Sequence, residues 1–227
     1  MPSHSEYTKL VTTYPYCIGK TTIITHGVDI NGTGMTHAPR HRLLYAGRLV
    51  HNKGLEELID AMAVLKVNDP RVQLFIIGAG RASYVRELKL RTISRGVSRI
   101  VHWLGWYDHG QLQAAYRHFG AVVMPSRAES FGLVALEALA NGVPLVATQT
   151  GGLRQFVTTE VAQVIPHVDG ASIAAAVIKM WQSPGIIRER VAAGRELARK
   201  YQWLHVAERY ADAIVAARRE YDAAERG

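Results

Sequence analysis

The stretch Pro125-Ser-Arg-Ala-Glu-Ser-Phe-Gly-Leu-Val-Ala-Leu-Glu-Ala-Leu-Ala-Asn-Gly-Val-Pro144 is the most informative part of the chain. An apolar run, Ala121–Met124, comes before it, and another, Val143–Ala147, overlaps its end. This order predicts a strand, a loop, a helix and a second strand. Glu129 falls in the loop at the carboxyl end of the first strand, and Glu137 falls inside the helix. Such a helix start is where α/β proteins hold phosphate-bearing ligands.

The same alternation of short apolar runs and amphipathic segments continues on both sides of this stretch. We predict strands at 21–25, 43–46, 72–77, 99–104, 121–124, 143–147 and 162–165, and helices at 54–67, 83–94, 108–118, 132–140, 170–182, 185–200 and 203–224. Strands that alternate with helices indicate a parallel sheet covered on both faces. The predicted fold class is therefore α/β, a Rossmann-like three-layer sandwich with a mainly parallel sheet. Its strand-to-helix loops share one edge, where ligands bind.

The pattern divides the chain into three parts. Residues 1–21 are polar and predict an irregular N-terminal segment, residues 22–200 carry the alternation, and residues 201–227 predict a C-terminal helix. Within the second part, residues 31–42 are rich in Gly, Thr, His and Pro and predict a loop.

The bulk composition is that of an ordinary globular protein, with 227 residues of which 48% are apolar and 20% charged. The single cysteine, Cys17, excludes an internal disulfide and fits a reducing compartment. No apolar run is long enough to span a bilayer, and we expect no signal peptide in residues 1–25. The expected location is cytoplasmic, and a peripheral contact with a membrane stays open. The net charge of +8 comes without an array of basic and aromatic residues, so no nucleic-acid partner is expected.

Two cations lie in the loop after the 43–46 strand. Gly47 and Arg48 open this loop, and Lys53 and Gly54 close it. Gly47 lets the backbone turn sharply, and the two cations can neutralise a diphosphate. A solvated loop would explain these residues if they stood alone. The Glu-Ser-Phe-Gly loop on the same sheet edge favours a binding site instead.

The two glutamates of the opening stretch are the candidate acidic residues of this binding site. Glu137 lies among leucines, where a carboxylate is costly unless it accepts hydrogen bonds. A ribose diol can donate them, as it does to the acidic residue of dinucleotide-binding folds. A structural alternative stays open: the helix dipole favours Glu129 at the helix start, and Glu137 is bonded to a buried neighbour.

Other motifs are weak or absent. Gly78-Ala-Gly80 lacks the third glycine of a dinucleotide fingerprint. Ten scattered histidines and the absence of an Asp-x-Asp cluster predict no metal site. The chain has neither a Gly-x-Ser-x-Gly elbow nor a Walker loop, which argues against a hydrolase triad and a Walker ATPase. Trp103 and Trp106 flank Gly105 and either stack on a nucleobase or pack at the strand end.

Taken together, these residues resemble the carboxyl-terminal, donor-binding domain of the family 4 retaining glycosyltransferases of GT-B fold. The resemblance spans about residues 22–222, and its most specific part is the Glu-x7-Glu element with the upstream cation loop. The matching segments are His26-Gly-Val-Asp29, Gly47-Arg48 with Lys53-Gly54, Gly78-Ala-Gly80, Val101-His-Trp-Leu-Gly105, Glu129 to Glu137, Asn141-Gly-Val-Pro144, Gly151-Gly152 and Tyr201-Gln-Trp203.

The resemblance implies an activity. The domain would bind an NDP-sugar donor, a UDP or GDP sugar, and the enzyme would be a retaining hexosyltransferase of carbohydrate biosynthesis. It implies that Glu129, Arg48 and Lys53 are catalytic. It further implies that the donor contacts Gly47, Arg48, Lys53, Gly78, His102, Trp103, Glu129, Ser130, Phe131, Gly132, Leu133 and Glu137. No cofactor and no metal are implied, because cationic side chains and a helix terminus stabilise the leaving diphosphate.

Each part of that set has its own implied role. Arg48 and Lys53 hold the diphosphate, Glu137 takes the ribose hydroxyls, and Glu129 lies against the donor sugar. The N–H groups of residues 130–133 reach the sugar and the phosphates, and the strand end at His102 and Trp103 borders the base. The sequence departs from the family at Gln155, where a Glu is usual, and at Val161-Ala162, where a turn glycine is usual.

The resemblance also implies a partner. A GT-B enzyme carries its acceptor on an amino-terminal domain, which residues 1–21 cannot form. We therefore expect the chain to need an amino-terminal acceptor-binding domain or subunit, toward which residues 201–227 pack, and to be inactive without it. The acceptor is left open between a glycan and a molecule at a membrane. The alternative function is a non-catalytic nucleotide-sugar-binding subunit or scaffold of a split enzyme, and an epimerase or a glycogen-type phosphorylase ranks lower.

Overall fold

The computed structural model describes residues 1–30 and 38–225. Its helices are α1 (His4–Thr13), α2 (Leu55–Asn68), α3 (Ala82–Ser94), α4 (His109–Ala115), α5 (Leu133–Ala140), α6 (Gly170–Trp181), α7 (Pro184–Arg199) and α8 (Trp203–Ala224). Its strands are β1 (Arg42–Ala46), β2 (Gln73–Ile77), β3 (Val101–Gly105), β4 (Ala121–Met124), β5 (Leu145–Thr148) and β6 (Gln163–Ile165).

The six strands form one parallel sheet in the order β3-β2-β1-β4-β5-β6. The chain moves outward from β1 to β3 and then returns to place β4 beside β1, with Leu43 opposite Ala121. The connections that leave β1 and β4 therefore diverge, which opens a crevice at the carboxyl edge of the sheet. This confirms the predicted α/β class. The loop with Arg48 and Lys53, after β1, and the loop with Glu129, after β4, therefore lie side by side.

Alternate residues of each strand enter two separate cores. Leu43 and Tyr45 of β1 pack with α2, α3 and α6 on one face, and Leu44 and Ala46 pack with α5 on the other. Strands buried on both faces need continuous apolar runs, and this is the pattern that the sequence carries. The site loops thus project from a rigid, fully packed layer.

The structure corrects the prediction for the beginning of the chain. Residues 1–21 are not irregular, because α1 forms there with Ser3 as its N-cap. No strand forms at 21–25, and the nearest β-bridge among the described residues joins Val28 to Gln202. The predicted 108–118 helix ends as α4 at Ala115 and continues as a 3₁₀ turn, Tyr116–His118.

Two further predictions are tested only in part by the described residues. Most of the predicted 31–42 loop, residues 31–37, lies outside them. The division at residues 22–200 and 201–227 stays a prediction, although a long helix, α8, does occupy the last part. None of the described helices has the length and apolarity to cross a membrane.

Candidate functional site

The loop after β1 runs alongside the turn after β2. The N–H of Gly47 donates to the Ile77 carbonyl at 3.0 Å, and the N–H of Leu49 donates to the Ala79 carbonyl at 2.9 Å. A Cβ at Gly78 would lie 1.8 Å from the Gly47 carbonyl oxygen. Gly47 and Gly78, both predicted as donor-binding residues, therefore have a backbone packing function that needs no ligand.

Arg48 lies at the tip of this loop. The Tyr45 hydroxyl donates to the Arg48 carbonyl at 2.8 Å and fixes its backbone. Burial, with a contribution from the charge of Glu129, raises the pKa of Tyr45, so the hydroxyl stays a donor. The Arg48 side chain is exposed, and among the described residues its guanidinium has no hydrogen-bond or ion-pair partner. The guanidinium of Arg48 is thus available to bind an anion.

Lys53 and Glu129 form the contact that joins the two loops. The Lys53 ammonium lies 2.5 Å from a Glu129 carboxylate oxygen, and the side chains are only 11% and 12% exposed. Gly54 makes this approach close, since its φ is +69° and a Cβ there would lie 2.1 Å from the Pro125 carbonyl oxygen. The predicted convergence of a cation from the β1 loop and an acid from the β4 loop is present in the structure.

The segment from Ser130 to Gly132 leads into α5. None of its three N–H groups has an acceptor among the described residues. Gly132 has a φ of +98°, which lets the chain turn into the helix. Free N–H groups at a helix start are a ready site for an anion.

The predicted site residues on either side of Gly132 differ in exposure. Leu133 is 38% exposed beside the free N–H groups. The Phe131 ring is buried and packs against His26, Phe156 and Tyr201. The ring of Phe131 therefore belongs to the core, and the predicted contact of Phe131 with the donor is the one made by its backbone N–H.

Two glycines of the β5 loop shape the Glu129 segment from the other side. A Cβ at Gly151 would lie 2.0 Å from the Glu129 carbonyl oxygen, and one at Gly152 would lie 2.2 Å from the Ser130 carbonyl oxygen. The N–H of Gly152 also donates to the Glu129 carbonyl at 2.8 Å. The backbone of the acid loop is therefore held between two neighbouring loops.

Glu137 lies about one and a half turns into α5 from Gly132 and is nearly enclosed. Its carboxylate is 4% exposed, accepts the Tyr116 hydroxyl at 2.8 Å, and faces Nδ1 of His109 at 3.4 Å. Burial raises the pKa of Glu137, although the Tyr116 hydrogen bond opposes the shift. His109 also lies 3.9 Å from Asp29. Sequence reasoning missed Tyr116 and His109, because nothing in their spacing marks them as partners of Glu137.

The two predicted base-bordering residues lie on opposite faces of the sheet. His102 stacks on Phe75 on the α5 side, with ring centroids 4.7 Å apart, and its buried Nε2 has no partner among the described residues. Trp103 packs with the other core, where Lys89 of α3 lies over its ring. Adjacent strand residues point in opposite directions, so both side chains cannot border one base. Trp103 is corrected to a packing residue.

A cleft of about 690 Å³ opens beside Glu129, between α1 and the loops after β4 and β5. Among the described residues, no three metal-ligating side chains come together. The expectation of metal-independent chemistry stays a prediction.

The model of the family described as "Glycosyl transferases group 1" matches residues 37–199. A glycogen synthase of Mycobacterium tuberculosis is 34% identical over 209 residues, which are 89% of this chain and 50% of the relative. The chain therefore spans about half the length of the curated relatives it matches.

Solved structures show the same fold. Sucrose-phosphate synthase from Thermosynechococcus elongatus aligns with a TM-score of 0.81 and 25% identity, over 98% of this chain and 58% of that one. Anabaena HepE in complex with UDP and glucose aligns with a TM-score of 0.75 and 22% identity, over 86% of this chain and 56% of that one.

Proposed function

The chain belongs to the group 1 glycosyltransferases, and we propose that it binds the diphosphate of a nucleotide-sugar donor between the β1 and β4 loops. The observation that carries this proposal is the Lys53–Glu129 contact at the point where the connections of the sheet diverge. A cation held there by a carboxylate is positioned for an anionic ligand, which takes over as its partner.

The free groups around this contact suit a diphosphate. Arg48 supplies an unpaired guanidinium, and the N–H groups of residues 130–132 supply uncharged donors at the start of α5. When the diphosphate binds Lys53, the Glu129 carboxylate turns toward the donor sugar. In the transferase the same cations stabilise the leaving diphosphate as the bond to the anomeric carbon breaks, without a metal.

Glu137 is assigned to the ribose. One of its oxygens accepts the Tyr116 hydroxyl, and the other faces His109 at a longer distance. A ribose hydroxyl can approach that second oxygen more closely, and its hydrogen bond offsets the cost of keeping the carboxylate ionised. His102, on the same face of the sheet, is left as the base-bordering residue.

The complete reaction needs more than this chain. We propose that an acceptor-binding domain or subunit supplies the other half of the active site, as the greater length of the relatives suggests. Transfer with retention at the anomeric carbon, to a glycan or to an acceptor at a membrane, is part of the proposal.

Titration of the purified chain with UDP, GDP and ADP tests the binding step. UDP is the first choice, because HepE of the same fold is solved with it. We expect saturable binding of at least one diphosphate and a rise in melting temperature. Arg48→Ala should weaken it about three- to tenfold, whereas Arg86→Ala, an exposed change on α3, should leave it unchanged. A folded sample that binds none of the three contradicts the proposal.

A further inference from the structure

The N-terminal helix is attached to the candidate donor loop by a partly buried hydrogen bond. Ser3 is fully buried, and its hydroxyl donates to the Ser130 carbonyl at 2.6 Å. The hydroxyl oxygen of Ser3 also accepts the N–H of Glu6 at 3.2 Å and so caps α1. The Ser3 side chain thus caps the N-terminus of α1 and holds the helix against a loop 127 positions away in the sequence.

A second attachment fixes the approach of the chain to α1. The N–H of Ile24 donates to the Met1 carbonyl at 3.0 Å. The start of α1 is therefore held by two contacts, one between Met1 and Ile24 and one between Ser3 and Ser130.

The face of α1 beyond these attachments lines the cleft of about 690 Å³. His4, Thr8 and Lys9 line it from the helix, and Glu129 and Arg154 line it from the loops. Its volume lies within the range of ligand sites, and the polar side chains among its lining residues can hydrogen-bond sugar hydroxyls. Glu129, the residue assigned to the donor sugar, is one of the residues that line this cleft.

We infer that α1 is the outer wall of the donor-sugar pocket and that Ser3 is a positioning residue for the Glu129–Ser130 loop. This inference rests on the proposed function. The pocket takes the hexosyl group of a nucleotide sugar, while the diphosphate lies on the other side of Glu129, at Arg48 and Lys53. Loss of the hydrogen bond from Ser3 to Ser130 loosens the attachment of α1 to the pocket and leaves Arg48 and Lys53 in place.

The test compares a nucleoside diphosphate with its hexose ester on the same protein. The affinities for UDP and UDP-glucose are measured by calorimetry, or those for GDP and GDP-mannose if GDP is the nucleotide that binds. Ser3→Ala should keep the affinity for the diphosphate within about twofold and weaken binding of the sugar ester about five- to tenfold. Ser94→Ala removes another serine-to-carbonyl hydrogen bond, at the end of α3, and should change neither affinity.

A second variant tests the same inference without removing the N-cap of α1. Thr8→Trp places a large side chain on the exposed cleft face of α1 and leaves the Ser3 bond intact. It should fill the cleft and weaken binding of the sugar ester by at least about tenfold while the diphosphate still binds. If Thr8→Trp leaves the ratio of the two affinities unchanged, the inference is wrong even though the diphosphate binds. If the unaltered chain binds no diphosphate, the proposed function fails first.

Discussion

Glu129 and Glu137 lie eight positions apart, yet the structure gives their carboxylates opposite surroundings. Glu129 lies in a loop between two neighbouring loops and contacts the Lys53 ammonium. Glu137 lies inside α5, accepts a neutral hydroxyl, and has a raised pKa because of burial. The first carboxylate is stabilised mainly by the charge of Lys53, and the second mainly by a hydrogen bond from a neutral hydroxyl, with His109 farther away.

These surroundings limit what each glutamate can do. An acid paired with a cation can give up that cation to an anionic ligand and then accept hydrogen bonds from the hydroxyl groups of the same ligand. A buried acid without a close cation pays for its desolvation, so it gains from a ligand that brings hydroxyl groups. Substitutions around the two carboxylates should therefore have different effects on binding and on stability.

Gly54→Ala should disrupt the Glu129 region altogether. The new Cβ would lie 2.1 Å from the Pro125 carbonyl oxygen at a φ of +69°, so the β1 and β4 loops must separate. We expect a loss of about 2–5 kcal/mol in the free energy of unfolding, together with loss of diphosphate binding. Denaturant unfolding and calorimetry measure the two effects.

The control for this change is Gly185→Ala in α7, where a Cβ would meet nothing within 4 Å. It should leave binding intact and stabilise the helix by up to about 1 kcal/mol. Equal losses in the two variants would show that the close contact of Gly54 is not what holds the loops.

Lys53→Ala should keep the fold and remove the charge that stabilises Glu129. The carboxylate is then left facing the incoming diphosphate, so attraction is replaced by repulsion. We expect the dissociation constant for the diphosphate to rise about 10- to 100-fold. Calorimetry checks this, and Lys89→Ala on α3, which also removes a cation, serves as the control. Unchanged affinity in the Lys53 variant would refute the role of the contact.

Tyr116→Phe addresses the other glutamate. The variant removes the buried donor of Glu137, and the free energy of unfolding should fall by about 1–3 kcal/mol. Tyr221→Phe is a matched control, because its hydroxyl also donates to a glutamate, Glu225, but on the exposed part of α8. That change should cost less than about 0.5 kcal/mol. Equal costs would mean that burial does not set the value of the Glu137 hydrogen bond.

Glu137→Gln should have the smallest effect and a distinctive pH dependence. Because burial raises the pKa of Glu137, the folded protein holds the proton more tightly than the unfolded chain does. Ionisation therefore costs stability as the pH rises through the folded pKa. The glutamine side chain carries no charge, so the variant should match or exceed the parent melting temperature near pH 7 and lose that advantage below about pH 4.

Melting curves between these two pH limits measure the effect. Glu87→Gln on the exposed face of α3 is the control, and it should show no such trend. A difference between the Glu137→Gln variant and the parent that does not change with pH contradicts the assignment.

Much of the fold follows from the sequence because the strands are short, apolar and regularly spaced. All six strands of the sheet and the helices from α2 onward lie where the pattern predicts them, within a few residues. The common edge of the loops was predictable, and so was the meeting of Lys53 with Glu129. The position of β4 beside β1 could not be read from periodicity, since strand order depends on the packing of whole crossovers.

The predictions that differ from the structure also have physical explanations. Helix α1 has few apolar residues and depends on the Ser3 cap and its contact with a distant loop, neither of which leaves a periodic signal. Trp103 was assigned to the base by its position at a strand end, but the alternation of side chains turns it to the other face.

The Lys53–Glu129 contact also bears on the selection of anions in a crowded cell. Every anion that enters must displace a carboxylate already in place, so the protein carries its own competitor. Inorganic phosphate can contact Lys53, Arg48 and the free N–H groups, but it carries neither the ribose nor the sugar, so we expect it to compete less well than a nucleotide sugar. A nucleotide sugar bound as we propose would win this competition, because its ribose and sugar add contacts on both sides of Glu129.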